Sequence, residues 1–258
     1  MRTIRRFDDF PTVPGTHQPE FMAHLESCSI VKGGIPAGTA ADPLHKHPFD
    51  QFYFVLSGTV GVQLGADKIR AEPNTLVRIP TGVAHFAYND GVDEVVQLEI
   101  LLPTPVPATK GKLVPIMELC DELGDAPPPN CVRPLQKFGW ISPGAGHGLE
   151  TQVLASRELG SEHGMIAVTR MTQATPEPGG YRIHRFDELY FVLDGVLTVD
   201  VAGERHRAER YDLVVIPAGV PYRAWNSGPG LEQHLTVVTP QPMETDPAAW
   251  SHGVSFSL

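Results

Sequence analysis

The sequence predicts an all-β protein built as two tandem sandwiches or barrels. Two observations carry that. Short apolar or alternating runs recur with Gly, Pro or Asp turns between them about every 8–12 residues, the rhythm of a sandwich or barrel. A 45-residue stretch also occurs twice: residues 45–89, shifted by 137, fall on 182–226 without a gap, and 20 of the 45 positions are identical. A repeat of that length marks a duplicated domain rather than a solenoid unit, and 258 residues suit two domains of ordinary size.

In chain order, residues 1–20 are rich in Pro, Thr and Gly without a clear period. They read as an arm laid along a barrel of this chain or of a second copy, which leaves a homodimer open. A short strand is expected around Leu25–Val31, ended by Gly33-Gly34. His45, Lys46 and His47 lead into the apolar run Phe52–Leu56, closed by Gly58. Thr59–Leu64 alternates and reads as a strand, followed by the turn Gly65–Asp67; Leu76–Ile79 and Val95–Leu102 are further strands. Pro103, Pro105 and Pro107 stop the sheet, because proline donates no ladder hydrogen bond. Val114–Leu123 has apolar residues at helical spacing and predicts one short helix, and Asp125–Pro129 is an extended spacer. The expected organisation is a first barrel with its arm over residues 1–110, a linker over 111–149 and a second barrel with its tail over 150–258. Second-barrel strands are expected near Met165–Met171, Leu189–Leu193, Leu197–Val201, Leu213–Ile216 and Leu235–Val238. The proline-rich tail after Thr239 reads as an arm or as partly disordered.

Composition narrows the function classes. A net charge of −10 argues against nucleic acid. No segment approaches the ~20 apolar residues of a membrane span, and the basic N-terminus has no apolar run behind it. Cys28, Cys120 and Cys131 are odd in number and lack C-x-x-C spacing, so they read as ordinary thiols. A cytoplasmic protein is the default expectation.

His45 and His47 stand two apart, so on an extended strand their side chains share a face, with Cα atoms roughly 6.5–7 Å apart. Gln51 follows at an even step, and the turn Pro80-Thr81-Gly82 delivers His85 from a later strand. Three imidazoles and an amide form a plausible donor set for a divalent transition metal. The second copy has Arg182, His184, Glu188 and Tyr222 at those places.

These residues resemble the two signatures of the cupin family. The first reads Gly38-x6-His45-x-His47-x3-Gln51-x6-Gly58 and the second Pro80-x-Gly82-x2-His85-x3-Asn89. Gly38 is one residue early, Asn74 holds the place of the second motif's first glycine, and Gln51 replaces the family's glutamate. The resemblance covers most of residues 20–102 and 150–240 and implies a bicupin: two jelly-roll (double-stranded β-helix) barrels joined by the short helix-containing linker. It implies one divalent metal in the first barrel, held by His45, His47, His85 and Gln51, with Fe(II) first and Zn, Ni or Mn as alternatives.

A neutral donor set leaves the ion's +2 charge uncancelled. That favours an anionic chelate and lowers the pKa of bound water. Alternatively Gln51 stands behind the site and holds a water. Tyr53, which shares the parity of Gln51, and Glu99, on a final strand of which one parity should face inward, are the candidate catalytic groups; for Tyr53 the competing reading is core packing.

In the second barrel Arg182 is expected to repel a cation. An Arg182–Glu188 pair with His184 and Tyr222 would then make a structural polar network, and a small-anion pocket is the alternative. Three functions follow: a non-haem Fe(II) dioxygenase acting on a small anionic enolisable or aromatic substrate, a non-redox metal-dependent cyclase, isomerase or lyase, or a non-catalytic metal- or metabolite-binding cupin.

Overall fold

A computed structural model describes residues 2–10, 20–105, 117–135, 139–142, 148–244 and 247–254. The chain forms two compact units. One is Phe10–Phe138 with Leu159–Ser161; the other is Met1–Asp9, Gly139–Glu158 and Glu162–Leu258.

The first unit has two antiparallel sheets. One runs, in spatial order, Val132–Pro134, Thr75–Ile79, Asp50–Ser57, Val95–Leu102, Ser29–Ile35 and Glu20–His24. The other runs Glu118–Leu119, His45–Lys46, His85–Asn89, Val60–Leu64 and Asp67–Ala71, with Thr39–Ala40 also paired to His85–Asn89. Val55, Val60, Val62, Leu64, Val77 and Ile79 close the apolar core of this barrel. Burial of such side chains, roughly 1.5–3 kcal/mol each, is the main stabilising term.

The second unit repeats the arrangement. Its larger sheet runs Ile4–Arg5, Leu213–Ile216, Asp187–Asp194, Glu232–Thr239, Met165–Met171 and Leu149–Ala155. Its smaller sheet runs Glu204–Ala208, Leu197–Val201, Tyr222–Asn226, Tyr181–His184 and Ser251–Val254. This is the all-β, two-barrel fold that the repeat predicts.

The identities of the repeat have local causes. Asp50 Oδ1 accepts the Thr81 N–H at 3.0 Å, and Asp187 Oδ1 accepts the Ala218 N–H at 2.8 Å. Each aspartate thereby fixes the Pro-x-Gly turn beside the fourth site position. Phe49 stacks on His47 with centroids 4.0 Å apart, and Phe186 on His184 at 4.4 Å. Asn74 and its counterpart Tyr211 both have left-handed backbone, φ 63° and 70°. Asparagine tolerates that region, which is why it can stand where the motif has glycine.

Three expectations change. The strand predicted to stop before Gly33-Gly34 spans Ser29–Ile35 and runs through both glycines. A Cβ on Gly33 would lie 2.4 Å from Glu99 Oε1, so this glycine permits a close approach instead of ending the strand. The helix expected over Val114–Leu123 is absent from its described part. Glu118–Leu119 is a strand on the His45–Lys46 edge, pinned by a Lys46–Glu118 ion pair of 2.9 Å. Leu119 and Leu123 are 68% and 39% exposed, so the helical stripe has no core to face; residues 114–116 lie outside the described set. The N-terminal arm, expected with the first barrel, adds Ile4–Arg5 to the second barrel's sheet edge through Leu213 and Val214. The tail, for which an arm is one of the two readings, does lie along a sheet: Ser251–Val254 pairs beside Tyr181–His184. In both places an unpaired edge supplies the hydrogen bonds an extended segment needs.

Candidate metal centre

His45 lies on a two-residue strand directly opposite His85. His47 follows that strand, and its carbonyl accepts the Gly82 N–H at 2.9 Å, tying the His85 turn to the His47 loop. All three imidazoles are buried, and they offer donor atoms within 4.8 Å of one another. Ring centroids of His45 and His85 are 4.3 Å apart, and those of His47 and His85 are 4.7 Å apart.

Each ring is oriented by the same device. Nδ1 of His45 faces the Pro43 carbonyl at 2.8 Å, that of His47 the Phe49 carbonyl at 2.7 Å, and that of His85 the Val83 carbonyl at 3.0 Å. A carbonyl only accepts, so each Nδ1 carries the ring proton and each Nε2 presents a lone pair. His85 Nε2 is buried and has no hydrogen-bond partner. Burial, with the charge of neighbouring His47 and His45 rings, pushes His85 down to about 2. Burial also lowers His47 to about 4, although Gln51 Oε1 would accept from a protonated ring and opposes the shift. Neutral imidazoles with backbone-held Nδ1–H and converging Nε2 lone pairs are what a transition metal requires of histidine. The residues fit a divalent ion.

Gln51 adjoins the cluster: its Oε1 lies 2.9 Å from His47 Nε2. Its amide nitrogen donates to Glu99 Oε2 at 3.1 Å, and Gln97 Nε2 donates to Glu99 Oε1 at 3.1 Å. Glu99 is on the inward face and meets the site through Gln51. Tyr53 lies directly opposite Glu99, packed in the core with Ile35 and Val55. Burial and the nearby Glu99 hold its phenol well above the usual range, so it keeps its proton.

At the four ligand positions the second barrel keeps only His184. Glu188 Oε2 lies 3.0 Å from His184 Nδ1 and accepts the Tyr222 hydroxyl at 2.6 Å. The Tyr190 hydroxyl donates to that of Tyr222 at 3.4 Å. The expected Arg182–Glu188 pair is not formed. Arg182 is exposed, since its long stem lets the guanidinium stay in water. Sequence reasoning missed Glu232 and His234, a buried pair with 2.9 Å between Oε1 and Nδ1. The 137-residue shift places His234 on Gln97, so the signal was available. Among the described residues only the first barrel gathers three metal-binding groups.

The family model for the Cupin domain matches residues 33–101 and 170–239, one segment in each barrel. The chain belongs to the cupin family. No curated protein matches the sequence. Among solved structures, this bicupin is similar to salicylate 1,2-dioxygenase from Pseudoaminobacter salicylatoxidans as its gentisate adduct. The TM-score is 0.67 at 17% identity, over 89% of this chain and 72% of that one. A tryptophan-to-tyrosine mutant of that enzyme in complex with gentisate gives 0.71 at 14% identity, over 97% and 84%. A mutant oxalate decarboxylase from Bacillus subtilis gives 0.66 at 13% identity, over 92% and 77%. At these identities the likeness is one of fold. No helix among the described residues is long and apolar enough to cross a membrane.

Proposed function

We propose that the first barrel holds one divalent transition metal and that the protein is a non-haem Fe(II) dioxygenase acting on a small anionic substrate, enolisable or aromatic. One observation carries this reading: three buried imidazoles spend their N–H groups on backbone carbonyls and converge within 4.8 Å. His45, His47 and His85 would hold the ion, with Gln51 beside them. Iron bound there would supply a Lewis acid that is also able to pass electrons to dioxygen. Three neutral rings and a neutral amide cancel none of its charge, which favours a carboxylate, enolate or phenolate over a neutral substrate. The gentisate and oxalate named for the structural neighbours are small carboxylates of this kind. Phe49 backs His47 and keeps water from that side, while Tyr53 supplies a protonated wall. Cys28, Cys120 and Cys131 are free thiols, which suits a cytoplasmic protein.

The likeness to oxalate decarboxylase favours a second reading, non-redox metal-assisted cleavage or isomerisation in the same site. Iron-loaded protein with candidate carboxylates in an oxygen electrode decides between them. Substrate-dependent oxygen uptake is the expected result. Equal turnover without oxygen, with zinc in place of iron, supports the second reading. Binding of one metabolite without turnover of either kind makes the protein a non-catalytic cupin.

A further inference from the structure

Building on the metal-centre reading, we infer that Glu99 is a positioning residue. It turns the Gln51 carbonyl toward the ion as a fourth donor, and Gly33 leaves the room in which its carboxylate sits. The Phe49 carbonyl takes the His47 Nδ1–H at 2.7 Å, so a neutral ring faces Gln51 with the Nε2 lone pair. The Gln51 amide is held the same way round by chemistry. A carboxylate accepts and does not donate, so the group 3.1 Å from Glu99 Oε2 is the amide nitrogen, and the oxygen points at His47. Gln97 holds the other carboxylate oxygen at 3.1 Å, so Glu99 is fixed at both ends.

The result is two lone-pair atoms facing one another at 2.9 Å in a buried site. That contact is repulsive unless a cation is shared between them. Donors bound at a right angle to one ion, with bonds of about 2.1 Å, stand about 3.0 Å apart. The spacing is that of two neighbouring ligands. The negative charge that a glutamate at position 51 would place on the ion is thus moved one residue back, to Glu99.

Space for this relay comes from Gly33, which pairs across the sheet with Gln97. Its missing Cβ would lie 2.4 Å from Glu99 Oε1. In the second barrel the corresponding residues change together. Glu188 stands at the place of Gln51 and Thr236 at that of Glu99. Thr169, opposite His234, replaces Gly33, and its hydroxyl lies 3.4 Å from that of Thr236. Where the carboxylate sits directly at the site position, neither the relay nor the glycine is present.

The test is cobalt(II) affinity by chelator competition, with the visible absorption of bound cobalt as a report on its donor set. Four proteins are compared: wild type, Glu99→Met, Gly33→Ala and the exchange Gln51→Glu with Glu99→Gln. Glu99→Met leaves the Gln51 amide nitrogen without its acceptor and is expected to weaken cobalt binding about 10–100-fold and to change the spectrum. Gly33→Ala is expected to act in the same direction. The exchange keeps the 51–99 hydrogen bond with its polarity reversed and returns a carboxylate to the site, so it should bind at least as tightly as wild type. A purely structural role would lower the melting temperature and leave affinity and spectrum alone. Glu99→Met and Gly33→Ala binding within about twofold of wild type, with its spectrum, overturns the inference; so does an exchange protein that binds more weakly, which decides the matter if the single variants do not fold. Wild type that takes up no cobalt sinks the metal-centre reading itself, a separate result.

Discussion

The two barrels share one frame and differ in what their polar side chains leave over. In the second, Glu188 takes the Tyr222 hydroxyl and lies against His184, while Glu232 takes His234. Most donors and acceptors there meet one another, with His184 Nδ1 left without a hydrogen bond. In the first, the three imidazole N–H groups are spent on backbone carbonyls, and the lone pairs on the far side of each ring converge. Burying such groups without a partner costs free energy, so the first set makes sense as half of a binding site. The second, where carboxylates face the ring nitrogens and the hydroxyls, is largely paired within itself. A buried polar cluster therefore points to a ligand through its surplus of one kind of group, more than through residue identity alone.

The largest effect should come from removing one convergent ring. His85→Ala is expected to abolish turnover and to cut metal content at least about tenfold by elemental analysis; a variant that keeps its metal would erase the difference between the barrels. Acid should act next, through the first barrel. His47 and His85 are held at about 4 and about 2 in the folded chain, below 6.5 in the unfolded one. Between those values the unfolded chain binds more protons, so metal-free protein keeps this stability above pH 6.5 and loses it as pH falls toward 4. The loss at pH 5 is about 1–2 kcal/mol for each ring, read as a lower melting temperature in chelator, and His85→Ala should flatten the slope. Tyr222→Phe removes the 2.6 Å bond to Glu188 and should cost about 1.5–3 kcal/mol of stability with metal content unchanged. Metal loss in that variant would mean that the second network serves the site. Arg182→Ala, at an exposed position, should stay within about 0.5 kcal/mol of wild type and keep its metal.

The frame was legible because duplication prints the same turns and the same Phe-Asp pair twice, and because strand parity puts Gln51 and Tyr53 on one face; the register that sets Glu99 opposite Tyr53 came from the structure. What escaped depends on contacts across the sheet. Gly33 reads as a strand terminator until Glu99 is seen lying over it. Glu118–Leu119 has helical spacing but meets an open strand edge that its own sequence does not announce. Arg182 occupies a ligand's place in the alignment, yet its side chain is long enough to leave the barrel for water. The direction of each imidazole was equally invisible, since backbone carbonyls set it.

The most direct measurement is anomalous diffraction from crystals of this protein loaded with cobalt(II). One peak should lie among the Nε2 atoms of His45, His47 and His85, with none in the other barrel. An empty first cluster, or a peak beside His184 and Glu188, would contradict the account.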